Sequence, residues 1–334
     1  MNHPQAAPDT MWTPISRAID EHDRFLVTTH VNSDGDGLGA ELGLWGYLKS
    51  LGKDVRIVNP DALSERYAFL NREGQYETFD PVAHRDVLAD REVVFFLDFS
   101  RWERLGALGD AIRAEDALTV CIDHHPVDRG PGDLNGIDVT AAATGQLVYE
   151  LIRYRGGVPD RRMATGLYVS ILTDTGSFRF SNSDPRAHRV AAELLDSGLD
   201  PAILYENVYG NWELGRLRLL AAALTSLRAE DDGRILLLSV PYRLLVECGL
   251  PMSDTDGFVD VARSTRGAEC VALFVEREDG SYKVSFRSRG TVNVNHVAGE
   301  FGGGGHRNAS GATLDGPLEA AQAAVLAALR RALA

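Results

Sequence analysis

Cysteine is scarce in this chain. Cys121, Cys248 and Cys270 stand isolated among 334 residues. Their spacing offers neither a disulfide framework nor a zinc knuckle. Cys121 lies inside an apolar run and reads as a small core residue. Long hydrophobic runs are missing too. No stretch reaches the roughly eighteen apolar residues of a membrane helix, and no charged-then-apolar leader opens the chain. The expectation is a cytoplasmic protein with no membrane partner. Positive charge is also in short supply: 34 Lys and Arg face 48 Asp and Glu, a net charge of -14. Such a balance excludes a general duplex binder with a broad basic face. It leaves room for a short anionic ligand in a local basic pocket, above all if metal ions neutralise the acids there. Internal repeats and low-complexity linkers are absent.

What is present describes an ordinary globular chain, 44% hydrophobic and 25% charged, long enough for two domains and a large core. Residues 1–12 read as loose. A short helix over 15–21 leads into strand 25–29. Strands follow at 55–58, 93–97 and 118–122. Helical spacing covers 38–51, with Gly52 as its stop, and 105–114. Strands alternating with helices in this way predict an α/β fold, a parallel sheet covered by helices. The segments 142–154, 161–173, 185–198 and 201–228 read as helices, although β-branched residues leave a strand open for 161–173. The texture then changes. Strand-like runs at 235–240, 270–275, 282–287 and 309–314 join helical segments at 259–263, 294–301 and 318–333. Asp279-Gly280 marks a hairpin. A smaller mixed α/β domain is expected here. The resulting division is 1–188 for the first domain, 189–228 for a helical linker and 229–334 for the second domain.

The chemistry concentrates at strand ends. His30-Val31-Asn32-Ser33-Asp34-Gly35-Asp36 follows the first strand, Asp98 ends another, and Asp123-His124-His125 ends a third. Asp174 precedes the polar turn Thr175-Gly176-Ser177. Strand tips that deliver acids and imidazoles are how open α/β sheets build active sites. Asp34 and Asp36, one glycine apart, can aim into one cavity. Unaccompanied, two such carboxylates repel, and divalent metal removes the problem. Metal in turn points to phosphate-ester hydrolysis. Taken singly, a strand-end Asp is more often a helix cap, Asp-Gly-Asp a turn and a His a satisfied residue. The joint occurrence carries the reading.

The ordered set His-x-Asn-x-Asp-Gly-Asp, strand-end Asp, Asp-His-His and Thr-Asp-Thr-Gly resembles the DHH phosphoesterase superfamily. The later string Gly302-Gly303-Gly304-Gly305-His306-Arg307-Asn308-Ala309-Ser310-Gly311, after Ser285-Phe286-Arg287-Ser288, resembles its C-terminal DHHA1 domain. The combination looks most like the bacterial oligoribonuclease (nanoRNase) and pAp-phosphatase branch. This resemblance implies two ions, usually Mn2+, with Mg2+ or Co2+ as substitutes. It implies one ion on His30, Asp34 and Asp98 and a second on Asp36, Asp98, His124 and Asp174. Asp123 would orient a histidine, and His125 would face the scissile phosphate as donor or acid. Many relatives carry Pro where this chain has Ser33, a change that leaves every ligand in place.

The resemblance also gives the glycine-rich string a role that a flexible loop would not have. Arg287, Ser288, Gly304, Gly305, His306, Arg307 and Asn308 become candidates for holding the bases and far phosphates of a short oligonucleotide. Arg289 is a weaker candidate, with surface exposure as its bland reading. Phe178, Arg179 and Phe180 could line the cleft, but core packing is the expectation for the two aromatics. The implied activity is two-metal hydrolysis of short RNA or DNA oligonucleotides and linear dinucleotides to mononucleotides, and of pAp to AMP, with the second domain closing over the site. Competing readings are a cyclic-dinucleotide phosphodiesterase, a RecJ-like exonuclease, an inorganic pyrophosphatase and a non-catalytic nucleotide sensor. The apolar helices of the first domain could pair in a homodimer.

Overall fold

A computed structural model describes residues 8–127 and 130–333. They divide into two compact units that meet at Asn211 and Trp212. In the first unit, strands β1 (Arg24–Thr28), β2 (Asp54–Asn59), β3 (Tyr76–Thr78), β4 (Val93–Leu97), β5 (Leu118–Asp123) and β6 (Leu134–Ile137) form one sheet. Its order is β3-β2-β1-β4-β5-β6, and every pairing is parallel. The expected helix-covered parallel sheet is therefore present.

Side-chain alternation explains the layers. Phe25, Val27, Phe95, Val120 and Ile122 point to one face, where helices α1 (Pro8–Glu21), α2 (Gly35–Ser50), α5 (Thr144–Tyr154), α6 (Arg161–Asp174) and α7 (Pro185–Leu195) pack. Leu26, Val94, Phe96 and Cys121 point to the other, against α3 (Arg85–Ala89) and α4 (Gly106–Arg113). The continuous apolar run Val93–Leu97 is buried on both faces, as a central parallel strand should be. Strand order reverses between β1 and β4. That switch point leaves a crevice beyond the strands' C-terminal ends.

One contact fixes the helix that carries the first motif. Gly35, Gly39, Gly43 and Gly46 form a stripe on α2 turned to α6. A Cβ on them would strike Thr173, the carbonyl of Gly166, Leu167 and Met163 respectively. Reciprocally, a Cβ on Gly166 would lie 2.5 Å from the carbonyl oxygen of Gly39. The two helices touch backbone to backbone. Gly39→Ala is expected to destabilise the protein by about 1–3 kcal/mol through overpacking, measurable as a lower urea midpoint at unchanged slope.

The second unit has helix α9 (Leu214–Thr225), strands β7 (Arg228–Glu230), β8 (Ile235–Val240), β9 (Cys270–Glu276), β10 (Tyr282–Ser288), β11 (Gly304–His306) and β12 (Ala309–Leu314), and helices α10 (Tyr242–Cys248), α11 (Phe258–Arg263), α12 (Val294–Gly299) and α13 (Leu318–Leu333). The sheet order is β11-β12-β10-β9-β8-β7. Only β8–β9 is parallel, so the sheet is mixed. Helices α12 and α13 cover one face, and α9, α10 and α11 the other. The Asp279-Gly280 hairpin is present, with Gly280 at φ +80°.

Three sequence expectations change. Of residues 1–12, the first seven lie outside the described residues, whereas Pro8 opens α1 and Trp12 is buried. Segment 201–228 is not one helix. It breaks into α8 (Pro201–Tyr205), a π-turn over Glu206–Gly210 and α9. The break lets Trp212 pack on Phe258 with the Arg216 guanidinium 4.0 Å from the indole. The boundary thus falls inside 189–228: Val190, Leu194 and Leu204 join the first core, Leu219 and Ala223 a core of the second unit. Finally, part of the glycine-rich string is an edge strand. Gly304–His306 pairs with Ala309–Gly311, and a Cβ on Gly305 would lie 2.7 Å from the Ala309 carbonyl.

Candidate metal centre

The strand tips around the switch point bring the predicted acids and imidazoles together. His30 follows β1, Asp98 follows β4 and His124 follows β5; Asp36 opens α2 and Asp174 ends α6. His30, Asp36, Asp98 and His124 are almost wholly buried. His30 Nε2 lies 3.5 Å from Asp98 Oδ2. His124 Nε2 lies 3.3 Å from Asp36 Oδ2, 3.7 Å from Asp98 Oδ1 and 3.6 Å from Asp174 Oδ2. Among the groups whose ligand atoms lie within 4.8 Å of one another are His30 with Asp34 and Asp98, Asp36 with His124 and Asp174, and Asp98 with Asp123 and His125.

Local backbone rules place these groups. Asp34 is the N-cap of α2; its Oδ1 accepts from the amides of Asp36 (2.9 Å) and Gly37 (3.3 Å). Asp34 thus caps a helix and also belongs to a candidate ligand group. Asp98 adopts φ +66° and Asn32 φ +55°, left-handed conformations that cost energy in non-glycine residues and gather at functional sites. The Asn32 amide donates to Asp61 Oδ2 at 2.5 Å, which holds the motif loop in its turn.

A second layer orients the first. Asp36 accepts from the amides of Thr144 (2.8 Å) and Gly145 (3.1 Å) and from the Ser170 hydroxyl. Thr144 Oγ1 donates to Asp98 Oδ1 at 3.0 Å, and Asn182 Nδ2 to Asp174 Oδ2 at 3.2 Å. Sequence reasoning missed these residues. Only Thr144 carried a signal, as the first residue of a helix. It also missed Arg104, whose Nη2 lies 2.7 Å from His30 Nδ1, while the Val31 carbonyl lies 2.8 Å from the same nitrogen. A carbonyl only accepts and a guanidinium only donates, so one tautomer satisfies one of them. With the proton on Nδ1 toward Val31, Nε2 turns its lone pair to Asp34 and Asp98.

His124 repeats that logic. Its Nδ1 lies 3.1 Å from the Ala141 carbonyl, so Nδ1–H donates and Nε2 faces three carboxylates. A lone pair facing three carboxylates needs a cation between them. The donor set of four carboxylates and two imidazoles, with outer hydrogen bonds in place, fits divalent metal. Burial pushes the Asp98 carboxyl well above its usual range, and the charges of Asp36, Asp34, Asp123 and Asp174 push it further. Burial raises Asp174 to about 7, against the opposing pull of His124 and with help from Asp36. The metal-free native state therefore holds protons that the unfolded chain has released. The contribution of these two carboxyls to its stability should fall as pH rises from 3.8, the ordinary Asp value, through about 7. Melting temperatures in chelator across that window check the sign, and added Mn2+ should abolish the decline.

Asp123 differs from the others. Fully buried, its Oδ1 accepts from the amides of His124 (2.7 Å) and His125 (3.1 Å) and pairs with His125 Nδ1 at 2.8 Å, and Oδ2 takes the Ser100 hydroxyl. Burial alone would raise this carboxyl; its hydrogen bond and charge pairing with His125 hold it down at about 2. Burial alone would lower the His125 imidazolium, but Asp123 holds it up at about 9. The Asp123 carboxylate is thus saturated by donors and fixes the ring of His125, whose side chain is 30% exposed.

In the second unit, Arg287 Nη1 donates to the Phe286 carbonyl at 3.0 Å, and its Nε lies 3.5 Å from Asp260. Ser288 is buried, its hydroxyl donating to Val292 O (2.8 Å) and accepting from Asn308 Nδ2 (2.8 Å). Arg307 donates to Thr291 O at 2.8 Å. Gly304 and Gly305 are exposed on the edge strand that ends in His306, and Arg289 is exposed. In the first unit, Phe178 packs on Tyr168 and stacks on His188, a core role.

The sequence profile of the DHH family N-terminal domain matches residues 24–171, and that of the DHHA1 domain residues 238–334. A curated protein from Thermus thermophilus, named bifunctional oligoribonuclease and PAP phosphatase NrnA, is 35% identical over 92% of this chain and 89% of its own. The chain belongs to the DHH family. Its match to the NrnA protein of Bacillus subtilis is 26% identical over 91% of this chain and 93% of that one. The crystal structure of an exopolyphosphatase-related protein from Bacteroides fragilis superposes with a TM-score of 0.90 at 26% identity, covering 97% and 96% of the two chains. RecJ from Thermus thermophilus, solved with Mn2+, shares the fold alone, with a TM-score of 0.56 at 15% identity. As a DHH-family protein this is a hydrolase of phosphoester bonds. No helix among the described residues is long and apolar enough to cross a membrane.

Proposed function

We propose that this chain hydrolyses short oligoribonucleotides and linear dinucleotides to mononucleotides and converts pAp to AMP. The observation that carries the reading is the cluster of four carboxylates and two imidazoles at the switch point of a DHH sheet, with Asp36, Asp98, His30 and His124 buried and Asp34 exposed at its rim. The near-complete overlap with relatives named for both activities supports the substrate class. In this reading His30, Asp34 and Asp98 hold one divalent ion, and Asp36, Asp98, His124 and Asp174 hold another, with Asp98 common to both. Manganese is the proposed ion, and magnesium or cobalt suits the same donors. Bound there, the ions supply charge neutralisation and lower the pKa of water.

The residues do the rest. Hydrolysis breaks one P–O bond and consumes one water, and the departing oxygen needs a proton. His125, held as imidazolium by Asp123, stands ready to give it. The Thr144, Gly145 and Ser170 donors keep Asp36 aimed inward. Arg287, His306, Arg307 and the exposed Gly304-Gly305 backbone are proposed to hold the substrate's other phosphates and bases. Ser288 and Asn308, bonded to each other, are proposed to set that loop. A RecJ-like role is not favoured, since this chain spans only 55% of that protein.

The test is a panel with Mn2+: labelled RNA of about two to twenty nucleotides, pAp, linear and cyclic dinucleotides, and pyrophosphate. A steep preference for the shortest linear RNAs together with release of phosphate from pAp is expected, in keeping with a pocket that grips a chain end. Equal cleavage of long RNA, or turnover of pyrophosphate alone, would overturn the assignment.

A further inference from the structure

The mechanism leaves one buried acid unused. Glu41 lies on α2, five residues past Asp36, and its side chain has no access to solvent. Its Oε2 accepts from Asn59 Nδ2 at 2.9 Å, and its Oε1 has no hydrogen-bond partner among the described residues. An ionised carboxylate in that setting would leave buried charge uncompensated. Burial accordingly pushes this carboxyl well above its usual range, with only the Asn59 hydrogen bond opposing. Burial, opposed only by the single Asn59 bond, favours the neutral acid.

Asn59 ends β2, where the ladder with β1 stops. Its Oδ1 accepts from the Thr29 amide at 3.0 Å and from Thr28 Oγ1 at 3.4 Å, so a side chain replaces the ladder for one more residue. Thr29 in turn donates Oγ1 to the Leu97 carbonyl at 2.8 Å. The next residues in the two strands are His30 and Asp98. Helix α2 also seats on Thr29, because a Cβ on Gly37 would collide with its hydroxyl. One closed chain, Glu41–Asn59–Thr29–Leu97, therefore ties together helix α2 and strands β2, β1 and β4. Every member of that chain is buried. Three of these four segments carry cluster residues; β2 carries none and acts as the splint.

We propose that Asn59, braced by Glu41, is a positioning residue that sets the spacing of His30 and Asp98 against Asp36 and so tunes the affinity of the metal centre. The proposal rests on the metal reading of that cluster. Positioning by outer partners of this kind is worth about 10- to 100-fold in metal affinity in other sites.

Titration calorimetry with Mn2+ alone tests it, on proteins first shown by melting in chelator to unfold cooperatively. Asn59→Ala and Glu41→Ala are expected to bind about 10- to 100-fold more weakly than the parent protein. Glu41→Gln, which keeps shape and neutrality, is expected to bind within about threefold of it. Thr29→Val is isosteric, keeps the amide bond to Asn59 and removes only the hydroxyl bond to the Leu97 carbonyl; it should weaken binding in the same direction and serves if Asn59→Ala does not fold. Folded Asn59→Ala or Thr29→Val with parental affinity would overturn the proposal. Failure of the parent protein to bind Mn2+, Mg2+ or Co2+ at all would instead overturn the metal reading, so the two failures are distinguishable.

Discussion

Asp98→Asn is expected to lower dinucleotide turnover by about a thousandfold or more and, at the same time, to raise the melting temperature of the metal-free protein at neutral pH. Both effects come from its position. Asp98 lies within 3.7 Å of His30, His124 and His125 and belongs to the His30–Asp34 group. Removing its charge deprives both proposed ion positions of a ligand. Without ions, that same carboxylate is buried and faces the charges of Asp36, Asp34, Asp123 and Asp174, which is why it resists ionisation. Asparagine keeps the bond from Thr144 and removes the repulsion. Initial rates with Mn2+ and calorimetry in chelator read the two halves separately. Retention of a tenth of the parental rate, or a lower melting temperature in chelator, would contradict this account.

The second large effect belongs to His125. His125→Ala should reduce kcat by about 100- to 10,000-fold, the range of a lost general acid, while Mn2+ affinity stays within a few-fold. The pH dependence follows from Asp123. In the chelated protein the His125 ring should titrate near 9, because the buried partner carboxylate outweighs desolvation. Asp123→Asn takes away that charge, and burial then acts unopposed by it. The ring's pKa must fall, and the alkaline limb of kcat must move to lower pH. Bound cations nearby push in the same direction, so NMR titration in chelator gives the cleanest reading. A His125 resonance that titrates identically with and without the Asp123 charge would remove it from the proposed role.

The first layer of the site was readable in the sequence because each of its strand-borne members follows an apolar β run. His30, Asp98 and His124 sit at strand ends, and parallel strands deliver their ends to one edge. The second layer was not readable. Thr144, Ser170, Asn182 and Asn59 act through contacts between segments that are far apart in the chain, and apart from the helix start at Thr144 nothing in their local sequence marks them. The helix read over 161–173 is present, and the β-branched Val169 and Ile171 that left a strand open are buried in its packing against the core. The short edge strands β3 and β6 lack any alternation of their own. The single long helix expected over 201–228 failed for a physical reason. Its apolar period continues across two segments that serve different cores, and the break at Gly210-Asn211 outweighs the period.

The glycine stripe on α2 has a consequence for the order of events at the ribosome. Its partner surface on α6 ends at Asp174, so the stripe has nothing to seat against until synthesis is halfway through the chain. At about 5–20 residues per second, that leaves a gap of about six to twenty-five seconds between the two helices. During that time His30, Asp34 and Asp36 exist as sequence but not as a geometry. In the proposed metal reading, loading is thus a late step that awaits α6, and a chain stopped before residue 174 carries the motif without the full ligand set.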